Sequence, residues 1–61
     1  MERFTKEELN EALRAIASMI YKCEKVQEKP TLGVSQRTLL RNRIHALRIA
    51  SSLITQALDE Q

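Results

Sequence analysis

Apolar residues recur every three or four positions in the first half of the chain. They are Leu9, Ala12, Leu13, Ile16, Met19, Ile20, Cys23 and Val26. This spacing is typical of an amphipathic α-helix that buries one face. Thr5 and Glu8 have the spacing of a capping box, in which each side chain bonds the other residue's backbone N–H. The pattern therefore predicts a helix that begins at Lys6.

The chain's one proline and one glycine follow this helix. Pro30 has no N–H and disfavours helical backbone in the residue before it, so the first helix is predicted to end at about Lys29. Gly33 allows the chain to turn. Ser35 is predicted to cap a second helix, because its hydroxyl can accept hydrogen bonds from the first N–H groups of that helix.

The second helix is predicted from Gln36 to about Leu58 and carries two neighbouring lines of residues. One line is Leu40, Ile44, Leu47, Ser51, Ile54 and Leu58, and the other is Leu39, Arg43, Ala46, Ala50, Leu53 and Ala57. A helix with two such lines has two neighbours to pack against, and alanines let another helix approach closely. We therefore predict an all-α protein with one domain over residues 1–61, an antiparallel hairpin of helices at about 6–29 and 36–58.

The size of the chain limits the core that one hairpin can bury. Small proteins add disulfides, metals or oligomeric contacts to reach stability. Cys23 is the one cysteine and His45 the one histidine, which excludes an internal disulfide and leaves too few ligands for a structural zinc site. We expect a homodimer in which two hairpins form an antiparallel four-helix bundle. Such a bundle resembles the plasmid copy-number regulator Rop in shape alone.

Charge differs between the two ends of the predicted hairpin. The open end, residues 1–17 and 49–61, has six acids and three bases, whereas the turn end, residues 18–48, has two acids and seven bases. Two hairpins repel each other when their turns lie side by side and attract each other when one is inverted. We therefore predict an inverted dimer, with Arg43 paired to Glu8 or Glu11 of the second copy. The predicted dimer interface comprises Arg43, Glu8, Glu11, Leu39, Ala46, Ala50 and Leu53.

A basic stripe runs along the outer face of the second helix. Its members are Arg37, Arg41, His45 and Arg48. Such a stripe is most often a solvated face, and less often a contact surface for nucleic acid or an anionic membrane. Two large residues, Tyr21 and Ile49, also lie off the predicted core. The net charge of +2 is too small by itself to argue for nucleic acid.

Several classes of function are not indicated by this sequence. It contains no nucleophile and base pair, no metal-ligand cluster and no glycine-rich phosphate loop, so we predict no enzyme, no cofactor and no metal site. The polar N-terminal segment, Met1 to Glu8, does not resemble a signal peptide, and no apolar run has the length of a membrane span. These features predict a cytoplasmic protein.

The leading interpretation is a non-enzymatic interaction or regulatory protein. Its dimeric bundle would present Tyr21, Ile49 and the basic stripe to a protein partner. One alternative is an RNA- or DNA-binding regulator that uses the basic stripe of the second helix. A less favoured alternative is peripheral binding to an anionic membrane, because the apolar face of that helix is needed by the bundle.

Overall fold

Two helices, α1 (Lys6–Gln27) and α2 (Val34–Asp59), pack against each other as an antiparallel hairpin. This computed structural model describes residues 3–60; Met1, Glu2 and Gln61 belong to the predicted domain but lie outside the described residues. The hairpin is elongated, with extents of 44 × 18 × 16 Å. The predicted all-α hairpin is confirmed.

The start of α1 is fixed by the predicted capping box. The Glu8 N–H donates to Thr5 Oγ1 at 3.1 Å, and the Thr5 N–H donates to Glu8 Oε1 at 2.9 Å. These two bonds satisfy backbone donors that a helix N-terminus otherwise leaves to water. The helix begins at Lys6, as predicted.

The end of α1 comes at Gln27, two residues before the predicted position. The N–H groups of Glu28 and Lys29 donate to carbonyls only three residues back, at 3.2 and 3.1 Å. Bonds of this kind tighten the last turn and leave the α-helical path. The influence of Pro30 therefore reaches further back than the residue immediately before it.

The predicted Ser35 cap is wrong. α2 begins at Val34, two residues before the predicted Gln36, with Gly33 as its N-cap in extended backbone. The side-chain bond is made instead by Gln36, whose Oε1 accepts the Gly33 N–H at 3.4 Å. The Gly33 carbonyl accepts the Arg37 N–H, so the helical ladder is already established when the chain reaches Ser35. The helix ends at Asp59, one residue beyond the predicted Leu58.

The core consists of one line of residues from each helix. Its buried members are Leu9, Ile16, Cys23, Leu40 and Ile44. In α1 they repeat every seven residues, so they form one straight line that faces α2. The Cys23 thiol is buried between the helices with Leu40 and Ile44, as a free cysteine. The first of the two lines predicted on α2 is therefore the one that packs on α1.

We expect Thr5→Ala to lower the free energy of unfolding by about 1 kcal/mol, because it removes the hydroxyl acceptor of the capping box. Ser35→Ala should cause no loss, since that hydroxyl does not cap α2. Urea denaturation at one fixed protein concentration measures both values. Equal losses for the two variants would contradict the assigned N-termini.

Candidate interaction surfaces

Helical periodicity gives the hairpin two broad faces, one on each side of the plane that contains both helices. The buried line of α1 is Leu9, Ile16 and Cys23. Residues three positions after this line, such as Ala12 and Met19, lie on one side of it. Residues four positions after it, such as Leu13 and Ile20, lie on the other side, because one step covers about 100°.

One of these sides is mainly apolar on both helices. Ile54 of α2 lines the same groove as Ala12 and Ala15, which identifies the matching side of α2. We call this side the apolar face. Its apolar residues are Phe4, Ala12, Ala15, Met19, Leu39, Ala46 and Ala50, with Leu53 at its outer margin beside Ile49, and Lys22 and Arg43 also lie on it. Four of its large side chains are extensively exposed, from 45% at Met19 to 60% at Leu53. The second predicted line of α2 therefore exists, and α1 leaves most of it uncovered.

A groove of about 640 Å³ crosses the apolar face at the open end of the hairpin. We call it the open-end groove. It is lined by Phe4, Glu8, Leu9, Glu11, Ala12, Ala15 and Ile54. The groove thus combines an apolar surface with two carboxylates, and both of these were predicted to contact a second copy.

The opposite side of the hairpin is polar toward the turn. A smaller groove of about 210 Å³ lies there, and we call it the polar groove. It is lined by Glu24, Gln27, Arg41, Ile44, His45 and Arg48. Three of the four predicted stripe residues are therefore brought together, and an acid from α1 lies among them.

Arg48 is already paired within the chain. Its Nη2 lies 3.0 Å from Glu24 Oε2, and both side chains are about half exposed. Sequence reasoning missed this ion pair because its members are far apart in the chain and share no local motif. Their proximity depends on the register of the hairpin, which places Glu24 beside the last turns of the basic stripe.

Arg37 lies apart from the other stripe residues, at the turn. Its Nη2 donates to the Lys29 carbonyl at 3.3 Å. That carbonyl lies just beyond α1 and also accepts the Leu32 N–H at 3.5 Å. Arg37 therefore ties the start of α2 to the turn, and the predicted stripe does not act as one continuous row.

Tyr21 and Ile49 lie on the outer edges of different helices. Each follows a buried residue, Ile16 or Ile44, by five positions, so each points away from the neighbouring helix. Their exposed fractions are 60% and 50%. Lys25 Nζ lies 5.5 Å from the centre of the Tyr21 ring, within the range of a cation–π contact. The structure does not join Tyr21 and Ile49 into one patch.

Residues 3–60 contain neither a metal-ligand cluster nor a helix able to cross a membrane. No group of three or more His, Cys, Asp or Glu side chains in this part of the chain could hold a metal ion. Neither described helix is long and apolar enough to cross a membrane. Comparison with known proteins gives no matching family model, no similar curated protein and no similar solved structure.

We expect the Glu24 and Arg48 side chains to be coupled by about 0.2 to 1 kcal/mol, because the pair is well aligned but open to water. A double-mutant cycle with Glu24→Ala and Arg48→Ala measures this energy, which should shrink at high salt. Glu7→Ala with Arg48→Ala is the control, since Glu7 lies at the other end of α1. A coupling energy no larger than the control value would contradict the pair.

Proposed function

We propose that this chain is a non-enzymatic interaction protein that acts as a homodimer. Two hairpins form an antiparallel four-helix bundle through their apolar faces, and the outer surface of that bundle binds a protein partner in the cytoplasm. The observation that carries the proposal is the apolar face itself. It lies on both helices, is rich in alanine, and is left open by the single hairpin.

The balance of buried and exposed residues supports a second copy. The hairpin buries five apolar residues and leaves Phe4, Met19, Leu39 and Leu53 of the apolar face at least 45% exposed. Each square ångström of apolar surface removed from water contributes about 25 cal/mol. Ala46 and Ala50 leave space for a neighbouring helix at the usual separation of about 8–10 Å. The apolar face of a second copy has the same composition and can therefore pack against it.

Dimerisation through the apolar face leaves other groups outside the bundle. Tyr21 and Ile49 stay on the outer edges, and the polar groove with Arg41 and His45 stays on the opposite side. Aromatic residues and arginine are enriched at protein interfaces and at their energetic centres. A protein partner is therefore proposed to bind on these outer surfaces.

The geometry favours a protein partner over nucleic acid. Two guanidinium groups of the stripe bind within the chain, Arg37 to the Lys29 carbonyl and Arg48 to Glu24. Glu24 also places negative charge inside the polar groove, where a phosphate would have to enter. Binding to an anionic membrane would need the same apolar face that the bundle uses.

The melting temperature is expected to rise with protein concentration, because a dimer that is more stable than its folded monomer unfolds in a concentration-dependent way. Leu53→Glu should weaken the dimer by placing a charge in the apolar face. Ser52→Glu adds the same charge to the neighbouring exposed position, off that face, and is the control. Sedimentation equilibrium measures the mass of all three proteins. A monomer mass for the unsubstituted chain, with a concentration-independent melting temperature, would reject the dimer.

Capture of a protein partner tests the second half of the proposal. A tagged chain should retain a reproducible protein from a mild lysate of its own cells, and Tyr21→Asp or Ile49→Asp should reduce that retention. Gln56→Asp is the matched control, because it adds a charge to the same edge of α2, one heptad after Ile49, without removing an apolar group. Recovery of the tagged chain alone, or equal capture by all variants, would count against the proposed surface.

A further inference from the structure

We infer that the open-end groove receives the turn-proximal part of α2 from a second, inverted copy of the chain, with Arg43 of that copy set against Glu11 and Glu8. This inference rests on the proposed homodimer and specifies how the two copies dock. It assigns an occupant to a groove that the hairpin alone leaves open.

The register of the hairpin shows which part of the second copy reaches the groove. Ala12 and Ile54 line one groove and so lie at one level, near the open end. Gln27 and Arg41 line the other groove and lie near the turn. Inverting one hairpin on the other exchanges these levels, so the segment 39–46 of the second copy comes level with the open-end groove.

The side chains of this segment match the apolar lining of the groove. Leu39 is 57% exposed in the hairpin and projects from the apolar face. In the inverted arrangement it lies against the open-end groove near Phe4 and Leu9, which removes its side chain from water. Ala46 follows two turns later, at the level of Ala15, where two small residues let the helices approach closely.

The charges of the groove and of the segment 39–46 are complementary as well. Arg43 lies between Leu39 and Ala46 along the apolar face and is exposed in the hairpin. Glu8 Oε1 already accepts the Thr5 N–H, so Glu11, on the next turn of α1, is the principal partner for the guanidinium. A two-fold axis repeats this pairing at the other end of the bundle, so Arg43 of each copy pairs with Glu11 of the other.

The alternative arrangement, with both turns at one end, is electrostatically unfavourable. Lys22 lies three residues after Met19 and so on the same face, near the level of Arg43. Two copies with adjacent turns would bring two lysines and two arginines together there. Inversion instead places Lys22 and Arg43 of each copy opposite the acidic open end of the other.

Charge reversal and rescue test this docking. Arg43→Glu is expected to raise the dissociation constant of the dimer about tenfold at low salt, since it turns two attractive contacts into repulsive ones. Combining it with Glu11→Arg should recover most of that loss, and Glu8→Arg should recover less. Arg41→Glu makes the same charge change on the polar side and should alter the constant by less than about twofold.

Sedimentation equilibrium supplies the constants, and circular dichroism checks that each variant keeps its helices. The docking is overturned if the unsubstituted chain dimerises but Arg43→Glu weakens the dimer no more than Arg41→Glu. It is also overturned if neither reversed glutamate restores association. In both cases the proposed homodimer stands. If the unsubstituted chain is a monomer at every concentration, the proposed function and the docking fail together.

Discussion

A helix in a two-helix hairpin can bury only one side against its single neighbour, and the rest of this structure depends on that limit. α1 buries one line of residues against α2, namely Leu9, Ile16 and Cys23. α2 has two neighbouring lines, and only the line that contains Leu40 and Ile44 is covered. Leu39 and Leu53 remain in water because residues 3–60 form no third helix that could cover them. The exposed apolar face is thus a consequence of hairpin geometry, and it is the surface that the proposed second copy would cover.

Most of the fold follows from local features of the sequence, and the exceptions have physical reasons. The apolar spacing and the Thr5 capping box predict α1 and its first residue, because both signals act within one or two helical turns. The start of α2 is misjudged because Ser35 is only one of the residues able to cap there. Gly33 adopts the N-cap backbone and Gln36 supplies the side-chain bond, a pairing that competes with the serine hydroxyl.

The candidate surfaces are less predictable from the sequence than the helices. The residues of the second line on α2 can be identified from their spacing alone, and their exposure in the hairpin agrees with that assignment. The pairing of Glu24 with Arg48 cannot be predicted from spacing, because it depends on how far one helix is shifted along the other. This pair, together with the bond from Arg37 to Lys29, changes the basic stripe from a uniform row into a groove of mixed charge. The two sides of the hairpin therefore differ in chemistry, one mainly apolar and the other with groups of both charges.

The distance between the two turns in solution tests most directly whether a second, inverted copy covers the apolar face. A spin label on Thr31→Cys, in a chain where Cys23→Ala removes the native thiol, reports this distance by pulsed dipolar spectroscopy. Thr31 is exposed in the turn. The inverted bundle predicts labels separated by roughly the length of α2, about 39 Å for its 26 residues. A separation below about 20 Å would place both turns at one end, and the absence of any dipolar coupling would mean that the hairpins do not associate; either result would contradict the account.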